Sequence, residues 1–389
     1  MYVCEGEFIM NIIIVGGGFA GRSAAMAMKS LHRRDPAAKI TLFDKYPYTT
    51  MKPSLPMVVS GGLGFNAVTG ITKNLIPEFV DFRQEEVLGV DLPSKTVSTP
   101  VGTYPYDYLV LACGSVTNLR GFNQSLESVY LLDTMDDAMR MQCAYIDYLK
   151  KTEHPVVFVT GGGYTGLEIA GELFRLGQRL NKKPKIIVAE AGKEILGVAE
   201  EKIRTYITKY ITGLGFQTMT NALVTSFDGK NVTLKSGEKF TDVFFCWCAG
   251  TKIAIDGIKG DYEVIGDKRF LVNDYLQVPR YPEVFAPADT GTPHYKGGYL
   301  RKSVNFALHS GWCAGVNTGR LALGMPMRKY SQTDLGVILP IYNVSAGRAL
   351  NFQVSGKLGL SMHYFMSGYR NYSIVNALQY FTRALFPEG

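Results

Sequence analysis

Two stretches of the chain repeat one pattern of apolar and small residues. Residues 11–21 read NIIIVGGGFAG and residues 155–166 read PVVFVTGGGYTG. In each, four consecutive apolar positions (12–15 and 156–159) predict a short strand buried on both faces, as in a parallel sheet. Each run passes straight into Gly-x-Gly-x-x-Gly, formed by Gly16, Gly18 and Gly21 in the first copy and by Gly161, Gly163 and Gly166 in the second. Apolar residues at helical spacing follow both times, over residues 23–31 and 167–176. A second strand comes next in each copy: KITLFD ends at Asp44 and KIIVAE ends at Glu190.

Between and after these copies the pattern changes. Residues 80–111 alternate short strands with turns and finish in YDYLVLACGS, and residues 128–149 predict an amphipathic linking helix. A strand over 243–248 leads to Ala249 and Gly250, and another in YPEVFAPADTG delivers Asp289 to its C-terminal end. From Lys302 a helix follows with small residues at close-packing positions (Ala307, Gly311, Ala314, Gly315). Near the end, Ile374, Leu378, Phe381 and Leu385 recur at i, i+4, i+7 and i+11, one apolar stripe of a helix.

This order predicts an α/β fold with two Rossmann-type dinucleotide-binding domains and a C-terminal membrane-facing helical segment. The first domain is expected to be discontinuous, over 10–120 and 250–325, because the chain returns to it at Asp289. The second takes 121–249, and 326–389 form the C-terminal region. The first nine residues carry no pattern, and Met10 sits where chains of this design usually begin.

The chemistry follows from the glycines. They let the backbone turn sharply and approach a pyrophosphate, whose charge rests on the N-terminus of the following helix. Asp44 and Glu190 stand where an acid accepts from an adenosine ribose, so two dinucleotides are expected. Lys52, Ala112, Gly114, Asp289, Gly250 and Lys302 complete the candidate cofactor-contacting set. Asp289 is expected to accept from ribityl hydroxyls of a flavin. Glu168, two residues past the last glycine, is either a surface acid at a helix N-terminus or a carboxylate near the nicotinamide and flavin rings. His309, mid-helix, is either an ordinary packed histidine or a ligand-site residue.

The six cysteines narrow the options. None lies between Cys4 and Cys113, which excludes the Cys-x-x-x-x-Cys dithiol of flavin-linked disulfide reductases. Cys4 is expected to be inert, and Cys113 to be a small buried thiol, with a redox role as the other reading. Cys246 and Cys248 alternate on a strand, and two cysteines alone do not fill a zinc site, so core packing is expected and no metal.

Over 389 residues, 46% are hydrophobic, 19% are charged and the net charge is +7, a greasy and basic balance. No basic cluster with interleaved aromatics occurs, which argues against nucleic acid and for an anionic lipid surface or anionic nucleotides. No secretory signal is visible, and no apolar run reaches the ~18 residues of a spanning helix. A peripheral place on the cytoplasmic side of the cell membrane is therefore expected. The tail stripe, flanked by tyrosines and arginines, suits a membrane interface, with packing on a domain or at a homodimer contact as the other use.

Together, GGGFAG with Asp44, YTTMKPSLPMVVSGGL, YDYLVLACGS, GGGYTGLEIAGEL with Glu190, VFAPADTG and the tail from TDLGVILPIYNVSAGRAL to MHYFMSGYRNYSIVNALQYF resemble the type II NADH dehydrogenases. The resemblance covers nearly the whole chain. It implies FAD on the first fingerprint and Asp289, NADH on the second with Glu190 selecting it over NADPH, hydride transfer to flavin, and a quinone reached from the membrane. It implies a non-proton-pumping NADH:quinone oxidoreductase. Where that family has two glutamines in Ala-Gln-x-Ala-x-Gln, this chain has SVNFALHSG, with Asn305 and His309 at the matching positions. Sulfide:quinone oxidoreductases share the expected fold, but they need flavin-flanking cysteines, and this chain has none between Cys143 and Cys246 or after Cys313. A redox sensor that docks on membranes and responds to NADH is the non-catalytic rival.

Overall fold

The structure, a computed structural model, describes residues 9–295, 297–332 and 334–386. Cys4 and the unpatterned first eight residues lie outside them. The chain forms two compact units.

The first unit comprises Met1–Thr49, Gly70–Val116 and Thr251–Asp334. Its centre is a six-stranded sheet in the order Gln277–Val278, Tyr281–Phe285, Tyr108–Leu111, Asn11–Val15, Lys39–Asp44, Val80–Gln84. All neighbours are parallel except the Gln277–Val278 edge. The central run Ile12 to Val15 is at most 3% exposed, as strands covered on both faces must be. Glycines fix how one face is covered. A Cβ on Gly311 would stand 2.2 Å from the Ala20 carbonyl, and one on Gly315 would stand 2.3 Å from that of Ala24. The helices Phe19–Ala27 and Val304–Ala322 therefore touch backbone to backbone. The first of these begins earlier than the apolar spacing predicts, since Gly18 is its N-cap, and it breaks at Met28 before a second piece, Lys29–Arg34.

The second unit comprises Thr50–Thr69, Thr117–Gly250 and Leu335–Gly389. Its sheet, parallel throughout, runs Val129–Tyr130, Val243–Trp247, Val156–Thr160, Lys185–Ala189, Gln217–Met219. The linking helix spans Met135–Lys151 rather than starting near 128. Thr134 and Asp137 form a capping box that sets the start, Thr134 Oγ1 accepting from Asp137 N at 3.0 Å and the Asp137 carboxylate accepting from Thr134 N at 3.0 Å.

These borders differ from the expected division in two places. Residues 50–69, expected with the first fingerprint, belong to the second unit, held there by side chains that donate to main-chain carbonyls. Gln142 donates to Val58 O (2.9 Å), Arg179 to Ser60 O (2.9 Å), and Arg383 to Gly62 O. The C-terminal region also belongs to the second unit and is more than helical. An antiparallel sheet of Gly336–Ile341, Val344–Ala349 and Phe352–Ser355 precedes the helices Gly356–Tyr369 and Ile374–Leu385.

The tail packs by its polar and aromatic side. Tyr364 and Tyr380 are buried, Asn371 donates to Ala67 O (3.2 Å), and Gly368 admits the Phe381 ring, which a Cβ there would meet at 2.8 Å. Three members of the predicted apolar stripe face outward, Ile374 at 82% exposed, Leu378 at 57% and Leu385 at 75%, whereas the fourth, Phe381, packs on Gly368 and Phe365. Among the described residues no helix is long and apolar enough to cross a membrane.

Candidate functional site

The two fingerprints fold into near-copies of one loop. Gly16 has φ +100° and Gly161 φ +103°, a region that favours glycine. A Cβ on either would strike the carbonyl of the neighbouring strand's end, Ala112 O at 2.4 Å and Cys248 O at 2.5 Å. Gly21 and Gly166 press on Gly16 O and Gly161 O, where a Cβ would stand at 1.8 and 1.9 Å. The first and third glycines are thus required by the fold itself. The middle ones are not: around Gly18 and Gly163 nothing lies within 4 Å of where a Cβ would be. That open space, in front of a helix N-terminus, is what a diphosphate needs.

The acids complete each loop in the same way. Asp44 accepts from Gly17 N (2.6 Å) and Tyr46 N (2.9 Å); Glu190 accepts from Gly162 N (2.8 Å) and Gly192 N (2.8 Å). Each carboxylate is held by two backbone N–H groups, one of them from its own glycine loop. Beside Asp44, the fully buried Thr72 has a hydroxyl with no hydrogen-bond partner among the described residues, and its methyl lies 3.1 Å from where a Gly17 Cβ would stand. A buried hydroxyl left without a partner is costly, and a ribose edge would satisfy it. Both loops fit a dinucleotide.

The first unit brings together Gly16, Gly18, Gly21, Asp44, Ala112, Gly114 and Asp289 at the C-terminal ends of its parallel strands. Asp289 accepts from Ser115 Oγ at 2.8 Å, and Gly114 N donates to Thr290 Oγ1 at 3.3 Å, so Ser115 and Thr290 are members that the sequence reading passed over. Lys302, in the same unit, donates to Thr251 and lies 3.8 Å from Asp267. Lys52 belongs to the second unit, where its charge acts on the half-buried Asp133. Asn305 is buried, its carbonyl accepting from Gln332 Nε2 (3.1 Å), whereas His309, one turn on, is exposed.

The second unit holds Gly161, Gly163, Gly166, Glu190 and Gly250 at its strand ends, and Glu168 on the fingerprint helix Tyr164–Arg179. Glu168 and Glu172, one turn apart, line a pocket with Pro53, Pro56, Met57, Pro340, Tyr342, His363 and Tyr364. Burial, helped by the nearby Glu172, pushes the Glu168 carboxyl up to about 8, so it is largely protonated at neutral pH. Burial also raises Glu172, opposed by Arg175, whose Nε lies 3.3 Å from its carboxylate, and by Ser60 and Arg383. Burial pushes His363 down to about 4, which leaves it neutral. The surface-acid reading of Glu168 is therefore the weaker one. Glu172 was legible as the i+4 neighbour of Glu168; His363 had no local signal.

Three thiols, those of Cys113, Cys246 and Cys248, are kept protonated by the same physics. Burial pushes Cys113 up to about 11 and Cys248 up to about 12, and raises Cys246 well above its ordinary value. Among the described residues no group of histidine, cysteine or acidic side chains could hold a metal ion.

The profile of the pyridine nucleotide-disulphide oxidoreductases matches residues 10–303. Among characterised proteins, the type II NADH:quinone oxidoreductase of Haemophilus influenzae is 23% identical over 388 residues, covering 86% of each chain. Among solved structures, NDH2 from Plasmodium falciparum in complex with NADH has a TM-score of 0.79 at 16% identity, covering 97% of both chains. The sulfide:quinone oxidoreductase of Aquifex aeolicus has a TM-score of 0.75 at 20% identity, covering 97% of this chain and 94% of that one.

Proposed function

The chain belongs to the pyridine nucleotide-disulphide oxidoreductase family, and from that premise we propose that it is a type II NADH:quinone oxidoreductase carrying FAD. NADH, one proton and a quinone give NAD+ and quinol. The observation that carries this reading is the pair of matched loops, each with an open middle glycine and a clamped acid. A flavin supplies the hydride acceptance and the onward delivery of two electrons; the protein binds and orients.

Gly16, Gly18, Asp44, Ala112, Gly114, Asp289 and Lys302 are assigned to FAD, and Gly161, Gly163, Glu190 and Gly250 to NADH. Glu168, protonated at neutral pH, presents a hydrogen-bond donor and no charge beside the second dinucleotide. The family's dithiol chemistry is not available to this chain, which lacks the cysteine pair that would perform it. The same lack of cysteines disfavours sulfide as donor.

Anaerobic NADH should bleach the flavin of the purified protein, and a short-chain quinone should restore its colour with turnover, whereas sulfide should do neither. Bleaching by sulfide but not NADH would overturn the assignment. We place Asn305 and His309 on the acceptor side, where the resemblance expects glutamines. In the same assay His309→Ala should slow quinone turnover and leave flavin reduction unchanged.

Glu190 selects the donor. Its carboxylate is fixed by two N–H groups, and a 2′-phosphate placed against it would meet like charge. Glu190→Arg should cut the NADH-over-NADPH preference in kcat/KM by tenfold or more, on the order of the ~1.4 kcal/mol that a lost repulsion and a new ion pair supply. An unchanged ratio would remove Glu190 from this role.

For the tail we propose reversible attachment to an anionic membrane surface through the exposed stripe of Ile374, Leu378 and Leu385.

A further inference from the structure

The second loop is flanked by an arginine to which nothing above assigns a role. Arg120 lies in the second unit, shortly after the strand Ser115–Thr117, and its position is dictated by hydrogen bonds to the end of the strand Val243–Trp247. Asn118 N donates to Gly250 O (3.1 Å), Trp247 Nε1 donates to Asn118 O (3.2 Å), and Asn118 Oδ1 accepts from Arg120 N (2.9 Å). Arg120 Nε in turn donates to Ala249 O (3.3 Å). The guanidinium lies over Gly250, where a Cβ would meet Nη2 at 2.8 Å and Nε at 3.1 Å. Gly250, itself at φ +88°, leaves room for this side chain.

The peptide beneath Arg120 is also the wall of the nucleotide loop. A Cβ on Gly161 would stand 2.5 Å from Cys248 O and 3.0 Å from Ala249 N. Arg120 and the first glycine of the fingerprint therefore rest against successive peptides of one strand end. Ligands of open α/β sheets bind at this edge, outside the carboxyl ends of the strands. The arginine's Nη1 and Nη2 donate to nothing among the described residues, although a guanidinium offers five donors. Arg120 is held at φ +51°, a left-handed backbone that a non-glycine residue adopts at some cost. Two hydrogen bonds of its own and two of the neighbouring Asn118 thus hold an exposed arginine over Gly250, one peptide away from the wall of the dinucleotide loop.

We propose that Arg120 is a cofactor-binding residue of the second site, whose guanidinium grips the diphosphate of the nicotinamide dinucleotide. This rests on the assignment of NADH to the second loop. A forked cation suits a diphosphate, because it can pair two oxygens at once. It also supplies positive charge that the loop lacks: the fingerprint's own residues are glycines, a tyrosine and a threonine, and Glu190 beside them is negative. Glu190 then rejects a phosphate on the ribose while Arg120 holds the diphosphate, two charges of opposite sign sorting two phosphate positions.

The test is calorimetric titration of the FAD-loaded protein with ADP-ribose and, separately, with adenosine, which lacks the diphosphate. Arg120→Ala should weaken ADP-ribose binding about tenfold or more, the scale of a lost hydrogen bond to a charged group, and leave adenosine binding unchanged. Arg120→Lys should recover part of the loss, and the salt dependence of ADP-ribose binding should be shallower in Arg120→Ala. Equal affinity of wild type and Arg120→Ala for ADP-ribose would overturn the proposal, as would an equal loss for adenosine, which would mark a displaced loop. Flavin content and Tm serve as controls for folding, with Arg120→Gln as a second variant. If wild type itself failed to bind ADP-ribose, the assignment of the second loop would fall as well, a distinguishable result.

Discussion

Gly18→Val should yield a folded protein that has lost its flavin. The position has no neighbour within 4 Å of an added Cβ, so the fold does not resist the larger side chain. What resists is the ligand, because the valine branches would occupy the space through which the backbone reaches the diphosphate. A loss of at least about a hundredfold in FAD affinity, roughly 2.7 kcal/mol, is expected, with little change in the Tm of the flavin-free protein. Gly163→Val is the matching experiment in the second loop: it should keep the flavin colour and lose rapid bleaching by NADH. Gly21→Ala behaves differently, because its methyl would stand 1.8 Å from Gly16 O and unfolding would precede any statement about binding. Full flavin content in Gly18→Val would show that the first loop is not the FAD site.

The combined change Ile374→Gln, Leu378→Gln and Leu385→Gln should release the protein from liposomes. All three side chains are more than half exposed and glutamine keeps helix propensity, so the helix Ile374–Leu385 should persist. Each buried aliphatic contributes about 1.5–3 kcal/mol when fully removed from water; even at half depth the triple change should weaken binding by about fortyfold or more. Flavin bleaching by NADH should be untouched, while turnover with a membrane-dissolved quinone should collapse. Point changes are the right tool here, since deleting the tail would pull the buried Tyr364 and Tyr380 out of the second unit. The arginines contribute less than the sequence pattern suggests. Arg383 is tied to the Gly62 carbonyl, and Arg370 is half-buried, so high salt should leave most of the protein bound. Unchanged flotation of the triple variant would mean that the stripe serves another contact, such as a second copy of the chain.

The fingerprints could be read from the sequence because they are backbone constraints. A loop that presses Gly21 on Gly16 O and Gly16 on Ala112 O tolerates one residue type, so the physics is written in the letters. The sheet over residues 336–355 was not legible for the opposite reason. Its turns place Tyr342 and Leu350 at φ +51° and +53°, conformations that turn sequences usually mark with glycine or asparagine, and Pro340 inside a strand argues against that assignment. The pocket around Glu168 was half legible. Glu172 follows from helical periodicity, but Pro53, Pro340 and His363 arrive from segments far apart in the chain, and only tertiary packing joins them. The place of residues 50–69 in the second unit was hidden by the same gap, since the segment attaches through long-range bonds from Gln142, Arg179 and Arg383.

Neither compact unit is continuous in sequence, and each is completed late: the first by Thr251–Asp334, the second by Leu335–Gly389. On a ribosome this has a kinetic consequence. The strand Asn11–Val15 emerges early, but its sheet lacks Tyr281–Phe285 until most of the chain has been made. The Thr50–Thr69 segment waits longer still, for Arg383 and Asn371. At ~5–20 residues per second, the nascent chain carries apolar strands with an unpaired edge for roughly 15–70 s. Folding of each unit is then gated by its last segment, Thr251–Asp334 for the first and the tail for the second, and nascent chains halted before the tail should be clients of chaperones whatever cofactor is supplied.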